Sequence, residues 1–134
     1  MTEKEKMLSG ALYDPADPEL TALREKASEL CKAYNDTPES ETDKRQAILD
    51  GWNIRRGPNV YIRGPVQFDY GCFTSIGENT FINFNFTCLD CCPVDIGENV
   101  FMGPNVSILT PVHPMRWQER NVFRKPDGTL ANKE

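Results

Sequence analysis

Apolar and polar positions recur every six residues through the middle of the chain. From residue 76 to 108, bulky or apolar side chains open successive units at Ile76, Ile82, Cys88, Val94, Ile96, Met102 and Ile108. The tetrapeptide Ile-Gly-Glu-Asn stands at 76 and again at 96, so the period is 20 residues, made of three hexads and a two-residue step. The same frame runs backwards through Ile62, Phe68 and Thr74 to the step at Ile76. A period of six matches one short strand plus one tight corner. The residue opening each unit then points inward, and Gly, Asn and Asp beside it supply the corner's backbone angles. Three sides close a coil, and stacked coils pair parallel strands about 4.8 Å apart. The pattern predicts a mainly β chain wound as a parallel β-helix. A β-sandwich with regular turns gives no reason for steps of six.

Before the repeat the period changes to that of helices. Residues 3–8 suit a short helix, 13–17 a turn, and Asp17-Pro18 an N-cap followed by proline at the first helical position. Leu20, Leu23, Ala27, Leu30 and Tyr34 recur at three and four residues, and Asn35-Asp36 ends that helix. Thr37-Pro38 is expected to start another, burying Ile48, Leu49 and Trp52. The charges Arg24, Glu25, Lys26, Glu41, Lys44 and Arg45 are expected on a solvated face. Helices ahead of a solenoid are expected to cap its open first coil, whose backbone groups would otherwise form an exposed sheet edge.

Past Ile108 the frame breaks. Residues 115–134 read as polar and irregular, with a basic cast from Arg116, Arg120, Arg124 and Lys125 and a turn at Asp127-Gly128. A long loop thrown out of a regular scaffold is where function concentrates. This one carries the only histidine of the chain, His113, between Pro111 and Pro114. A lone histidine is more often structural than catalytic. Here two prolines stiffen its backbone, and an imidazole has the proton affinity for a general base near neutral pH.

Composition narrows the classes. A length of 134 residues suggests one domain, and a net charge of −5 argues against a nucleic-acid partner. No apolar run approaches ~18 residues, so no transmembrane helix is expected. The first ten residues lack the apolar stretch of a secretory signal, so the expected location is the cytoplasm. Five cysteines, three of them crowded at 88, 91 and 92, make no disulfide framework. The Cys88-x-x-Cys91 spacing is half of a zinc site, without a second half or further histidines, so no metal is expected. In the hexad frame Cys88 is an inward core residue. No nucleophile motif surrounds Ser107, Thr110 or Thr87, and Gly77, Gly97 and Gly103 fall at corners rather than in a phosphate-binding loop.

In combination, these features resemble the maltose and galactoside acetyltransferases among the hexapeptide-repeat sugar O-acetyltransferases. The opening KEKMLSGALYDPADPEL is similar to the helical domain of that family, and the stretch from Gly64 to Pro114 to its early coils and the start of its long loop. The resemblance implies a left-handed parallel β-helix behind a small α-helical N-terminal domain, with a helical unit at 1–55, coils at 56–110 and an active-site loop at 111–134. It implies acetyl transfer from acetyl-CoA to a sugar hydroxyl, in a homotrimer with active sites between subunits. Residue by residue, His113 falls at the catalytic general base and Asn83 at the asparagine that holds the acceptor. Asp69 falls at a sugar contact, and Asp14 in the opening segment that reaches the sugar.

Departures refine these expectations. Phe81 replaces a tyrosine and Cys91 a sugar-binding aspartate of the galactoside enzymes, while the 89–93 segment is more similar to the maltose branch. A glucose or maltose acceptor is therefore expected over a galactoside. In the family, later coils supply the oxyanion donor and most of the CoA surface, so the acetyl-CoA-binding residues are expected beyond Glu134. The competing reading is a non-catalytic β-helix protein acting only through subunit association. A γ-class carbonic anhydrase shares the solenoid but needs several zinc-binding histidines. Serine and antibiotic acetyltransferases share the hexads with unlike openings.

Overall fold

The structure, a computed structural model, describes residues 1–120, 123, 124, 126–128, 130 and 131. Three helices come first. Helix α1 (Glu3–Ser9) opens with a capping box, in which the Thr2 hydroxyl accepts from the Glu5 amide and the Glu5 carboxylate accepts from the Thr2 amide. Helix α2 (Pro18–Asn35) starts where Asp17-Pro18 predicts, with the Asp17 carboxylate accepting from the amides of Glu19 and Leu20. Helix α3 (Thr42–Trp52) starts later than expected. The Thr37 hydroxyl donates to the Ala33 carbonyl and finishes α2, and a turn closed by Glu41 N–H to Pro38 carbonyl intervenes. Proline at 38 thus serves a turn rather than a helix start.

Nine short strands follow as three-stranded parallel faces. The first face joins β1 (Arg55–Arg56), β4 (Thr74–Ile76) and β7 (Val94–Ile96). The second joins β2 (Tyr61–Ile62), β5 (Phe81–Ile82) and β8 (Phe101–Met102). The third joins β3 (Val66–Phe68), β6 (Phe86–Leu89) and β9 (Ser107–Leu109). Residues pair with those 20 positions on, as in Arg55 with Ser75 and Thr74 with Val94. Three stacked coils of a left-handed parallel β-helix result. The solenoid begins at Ile54, earlier than the Ile62 at which the hexad frame starts, because β1 already pairs with β4.

Each side contributes two inward residues rather than one. Val60 and Ile62, Val66 and Phe68, Thr74 and Ile76, and Phe86 and Cys88 are all buried. Thr74 and Ile76 are therefore neighbours on one strand. The two extra residues of each coil lie instead in the preceding corner, 69–73 on the first coil and 89–93 on the second. The other two corners are short and turn on asparagines with positive φ: Asn59, Asn79 and Asn99 at one, Asn85 and Asn105 at the other. Their side chains ladder between coils, Asn59 donating to Asn79 (3.2 Å) and Asn85 to Asn105 (3.1 Å).

The helices close the first coil by supplying hydrogen-bond partners to its free edge. The Asn35 amide accepts from the Val66 N–H (2.8 Å) and donates to the Val66 carbonyl (2.9 Å), replacing a strand. The Tyr34 hydroxyl (2.5 Å) and the Arg45 guanidinium (3.2 Å) both donate to the Ile62 carbonyl. The Cys31 sulfur accepts from the Phe68 N–H (3.4 Å), and the Trp52 indole donates to the Tyr70 carbonyl (2.8 Å). An unpaired buried backbone group costs about 1–3 kcal/mol, so these contacts hold the coil as well as cover it. Trp52 also meets Phe68 edge-on at 5.2 Å, and Phe68 meets Phe86 at 5.8 Å, carrying the apolar core from cap into solenoid.

Two charges expected in solvent are drawn into this junction. Arg45 is buried, donates to the Thr37 and Ile62 carbonyls and lies 4.5 Å over the Tyr34 ring. Arg24 is half-buried and faces the coils. After β9 the chain is less irregular than its composition suggests. It forms a short helix, α4 (Trp117–Arg120), and an antiparallel pair of β10 (Phe123–Arg124) with β11 (Leu130–Ala131), across the expected turn at Asp127-Gly128.

Coil stacking makes a sharp prediction about glycine. A Cβ on Gly77 would lie 2.5 Å from the Gly97 carbonyl carbon, whereas one on Gly97 meets nothing within 4 Å. In the 134-residue chain Gly77→Ala should cost about 1–3 kcal/mol and lower Tm by several degrees, while Gly97→Ala should leave Tm nearly unchanged, both read by thermal denaturation.

Candidate functional site

The long corner is where the coil departs from a regular triangle. Its three turns stack: 69–73, then 89–93, then the segment 109–113 that leaves β9. Gly71 takes a positive φ of 74° there, and a side chain at that position would meet the Trp52 indole at 2.3 Å. The fully buried Asp90 ties two turns together, its carboxylate accepting from the Tyr70 N–H (2.8 Å) and the Thr74 hydroxyl (2.9 Å). Thr110 ties in the third. Its hydroxyl donates to the Leu89 carbonyl (2.7 Å) and accepts from the Cys92 N–H (3.0 Å).

Between this corner and the start of the chain lies a cleft of about 360 Å³, with Tyr13, Arg24, Asp69, Tyr70 and Cys91 among its lining residues. Arg24 crosses it. One guanidinium nitrogen donates to the Tyr70 hydroxyl (2.8 Å) and the other to the Pro15 carbonyl (2.6 Å), so the 13–16 turn is held against the coil. On the coil side the Asp69 carboxylate accepts from the Cys91 thiol at 3.5 Å. A cation, a carboxylate and two tyrosines around one cleft suit a neutral, hydroxyl-rich ligand. Tyr13 and Cys91 also border a second, apolar cleft of about 260 Å³.

The sequence-predicted residues are only partly brought together. Asp69 lines the polar cleft. Asp14 sits at its rim between Tyr13 and Pro15, its amide donating to Glu3 (2.6 Å) and its carboxylate accepting from the Ala16 N–H (2.9 Å). His113 is half-buried just beyond Thr110, Pro111 and Val112, which line the second cleft. Asn83 is elsewhere. It lies on the short corner between β5 and β6, its side chain accepting from the Phe84 N–H (2.9 Å). Along β6 that corner is roughly 15–20 Å from the long one, at about 3.3 Å per residue.

Arg24, Tyr13 and Tyr70 were not anticipated as site residues. Arg24 had a signal, because Leu20, Arg24, Ala27, Cys31 and Tyr34 form one helical stripe at steps of four and three. Tyr70 had none, since its position depends on the long corner, whereas Tyr13 stands beside Asp14 in the opening segment expected to reach the sugar. Burial pushes the Tyr70 phenol up from its usual value, with the Arg24 hydrogen bond opposing, so it stays a neutral donor near pH 7. Burial likewise pushes the Cys88 thiol up to about 12, which excludes it as a thiolate nucleophile. Among the described residues no group of three or more His, Cys, Asp or Glu is arranged to hold a metal, and no helix is long and apolar enough to cross a membrane.

Comparison with known proteins gives this arrangement a context. The family model described as the maltose acetyltransferase hexapeptide capping motif matches residues 6–52, the stretch that caps the first coil. A maltose O-acetyltransferase from Clostridium difficile 630 superposes with a TM-score of 0.85 at 38% identity, over 98% of this chain and 68% of that one. The galactoside O-acetyltransferase of Escherichia coli K12 is 32% identical over 120 residues, 90% of this chain and 59% of that protein. A hexapeptide-repeat-containing acetyltransferase of Vibrio cholerae O1 biovar eltor, solved with acetyl coenzyme A, has a TM-score of 0.79 at 29% identity, over 98% of this chain and 68% of that one. The chain thus spans about three fifths to two thirds of the length of these proteins.

The raised Cys88 thiol sets a pH dependence. A group whose folded pKa exceeds its unfolded value contributes stability that is complete below the unfolded pKa, here 9.0, and lost as pH climbs towards about 12. Unfolding free energy should therefore fall between pH 9 and 12. Cys88 should resist alkylation in the native state at pH 8 while the half-buried Cys72 and Cys92 react, as peptide mapping would show.

Proposed function

Because the chain belongs to the maltose and galactoside O-acetyltransferase family of hexapeptide-repeat proteins, we propose that it transfers acetyl from acetyl-CoA to a hydroxyl of a sugar. The observation that carries this reading is the stacked long corner, which lines the Arg24 cleft with Asp69 and the adjoining cleft with the segment that leads to His113. The polar cleft takes the sugar. Asp69 and Asp14 accept from its hydroxyls, and Arg24, itself fixed by Tyr70 and Pro15, donates from the opposite wall.

In the proposed reaction a neutral His113 imidazole removes the proton of the acceptor hydroxyl as its oxygen attacks the thioester carbonyl. The new C–O bond forms a tetrahedral intermediate. Its collapse breaks the C–S bond, and the imidazolium returns the proton to the departing CoA sulfur, so the enzyme ends as it began. Acetyl-CoA enters as the second substrate, by analogy with the Vibrio cholerae complex. Short polar side chains on rigid corners are suited to orient a polyol for such an attack.

Asn83 supports a further element of the proposal. On one chain it lies a full strand away from the long corner, so it acts on the acceptor from a neighbouring copy in a homotrimer. The stacked outward rings of Tyr61, Phe81 and Phe101, at 5.7 and 4.8 Å, offer apolar surface for association on the same face as Asn83's strand. Cys91 stands in the cleft beside Asp69, and a thiol there favours a glucose or maltose acceptor over a galactoside. Five free cysteines fit a reducing cytoplasm.

The test is CoA release from acetyl-CoA with glucose, maltose and a β-galactoside. Release with glucose or maltose should exceed that with the galactoside, and His113→Ala should lower turnover by about 10²–10⁴-fold. Unchanged turnover in that variant would remove His113 from the mechanism.

A further inference from the structure

We infer that Cys72 and Cys92 form a redox pair, which a low-molecular-weight disulfide converts into a covalent bond between the first and second turns of the long corner. The inference stands apart from the sugar reading, because it concerns two thiols to which the proposed reaction gives no part.

The two cysteines occupy the same place in successive coils. Cys72 is the fourth residue of the 69–73 turn and Cys92 the fourth of 89–93, 20 positions on. Backbone bonds hold both flanks of these turns together, Asp69 N–H to the Cys88 carbonyl (3.1 Å) and Val94 N–H to the Phe73 carbonyl (3.0 Å). Gly71 alone of these residues is left-handed, so the turns differ in the middle, where the Asp90 carboxylate takes up the Tyr70 N–H (2.8 Å). Stacked coils lie about 4.8 Å apart, and a disulfide spans Cα atoms about 4.4–6.8 Å apart. The register itself supplies the span.

Both thiols are half-buried and lie towards the opening helices. The Cys92 thiol donates to the Met7 carbonyl at 3.5 Å, and Cys72 packs against the apolar cluster that contains Met7 and Tyr70. Burial and then the Asp90 carboxylate push the Cys72 thiol up, against the charges of Lys4 and Lys26. Each side chain can turn at little cost. The Met7 carbonyl keeps the Gly10 N–H (3.1 Å) when the Cys92 thiol leaves it, and Cys72 borders a cavity of about 110 Å³ beside Leu23 and Trp52. The other cysteines are less available. Cys31 and Cys88 lie in the core, and the buried Cys91 thiol is held by the Asp69 carboxylate at 3.5 Å.

In the first step the Cys92 thiolate attacks one sulfur of the small disulfide, giving a mixed disulfide and expelling one thiolate. Cys72 then loses its proton to solvent and attacks the Cys92 sulfur, expelling the second. Two protein thiols are oxidised to one disulfide, the small disulfide is reduced to two thiols, and the protons end on those leaving groups. The bond joins the turn carrying Asp69 and Tyr70 to the turn carrying Cys91, which pins the coil side of the polar cleft under oxidising conditions.

The test treats the full chain with glutathione disulfide at pH 8, alkylates the remaining thiols and maps the peptides. Peptides joined through Cys72 and Cys92 should dominate, and dithiothreitol should separate them. Closing a loop of about 20 residues should also raise Tm by several degrees. Cys72→Ser and Cys92→Ser should each abolish the joined peptides and the rise in Tm, while Cys91→Ser keeps both. The map of the native chain decides the pairing even if a variant fails to fold. Glutathione adducts without joined peptides, a bond that uses Cys91, or a joined chain whose Tm is not raised overturns the proposal.

Discussion

A coil of this solenoid is a set of three short strands whose hydrogen bonds all point up or down the stack, so the first coil has no partner beneath it. The helices answer that requirement with side chains. Asn35 imitates a strand by accepting from and donating to Val66, while Tyr34 and Arg45 converge on the Ile62 carbonyl. Trp52 holds the Tyr70 carbonyl at the long corner. Everything above depends on these bonds, because each strand's register is copied 20 residues on from the strand below. The match of the capping-motif family model to residues 6–52 coincides with the segment that carries most of these side chains.

The site follows from the same geometry. Two corners are short and turn on left-handed residues, asparagine except for Gly64 on the first coil, while the third carries two extra residues, with a left-handed glycine, Gly71, on the first coil. Those extra residues push Tyr70, Asp69 and Cys91 outward, where the 13–16 turn and Arg24 meet them. The cap thereby has two roles: it completes the sheet edge, and it forms the opposite wall of the cleft. Of the polar side chains buried with the coils, Thr74 and Asp90 are bonded to each other and Thr80 to the Gly97 carbonyl, so the polar groups that the coils present to the cleft lie at the corner.

Much of the fold was legible because period six and period 20 leave marks on every coil. Ile76, Ile82, Cys88, Val94 and Ile96 were assigned inward and are buried. Asp17-Pro18 marked the start of α2, and the capping role of the helices followed from the exposed edge alone. The misreadings have local causes. Thr37-Pro38 resembles a helix start, but Thr37 bonds back to Ala33. Arg24 and Arg45 lie on the buried helical stripes, yet their charge suggested solvent. The paired inward residues Thr74 and Ile76 disguised a longer corner as a step in the frame. Of the candidate site, Asp69 meets its cleft and Asp14 lies at the rim. Asn83 and the segment of His113 occupy different corners, a separation that single-chain spacing does not reveal and that directs attention to neighbouring copies.

That separation is the point on which the functional account turns, and subunit complementation tests it most directly. Asn83→Ala and His113→Ala chains would be co-expressed with different tags and purified through both, so that every assembly contains each variant. If Asn83 of one copy serves His113 of another, mixed assemblies regain sites with both residues intact, and CoA release rises well above that of either variant alone. If mixed assemblies form and release no more CoA than the parents, the two residues do not meet between copies and the shared-site account is wrong.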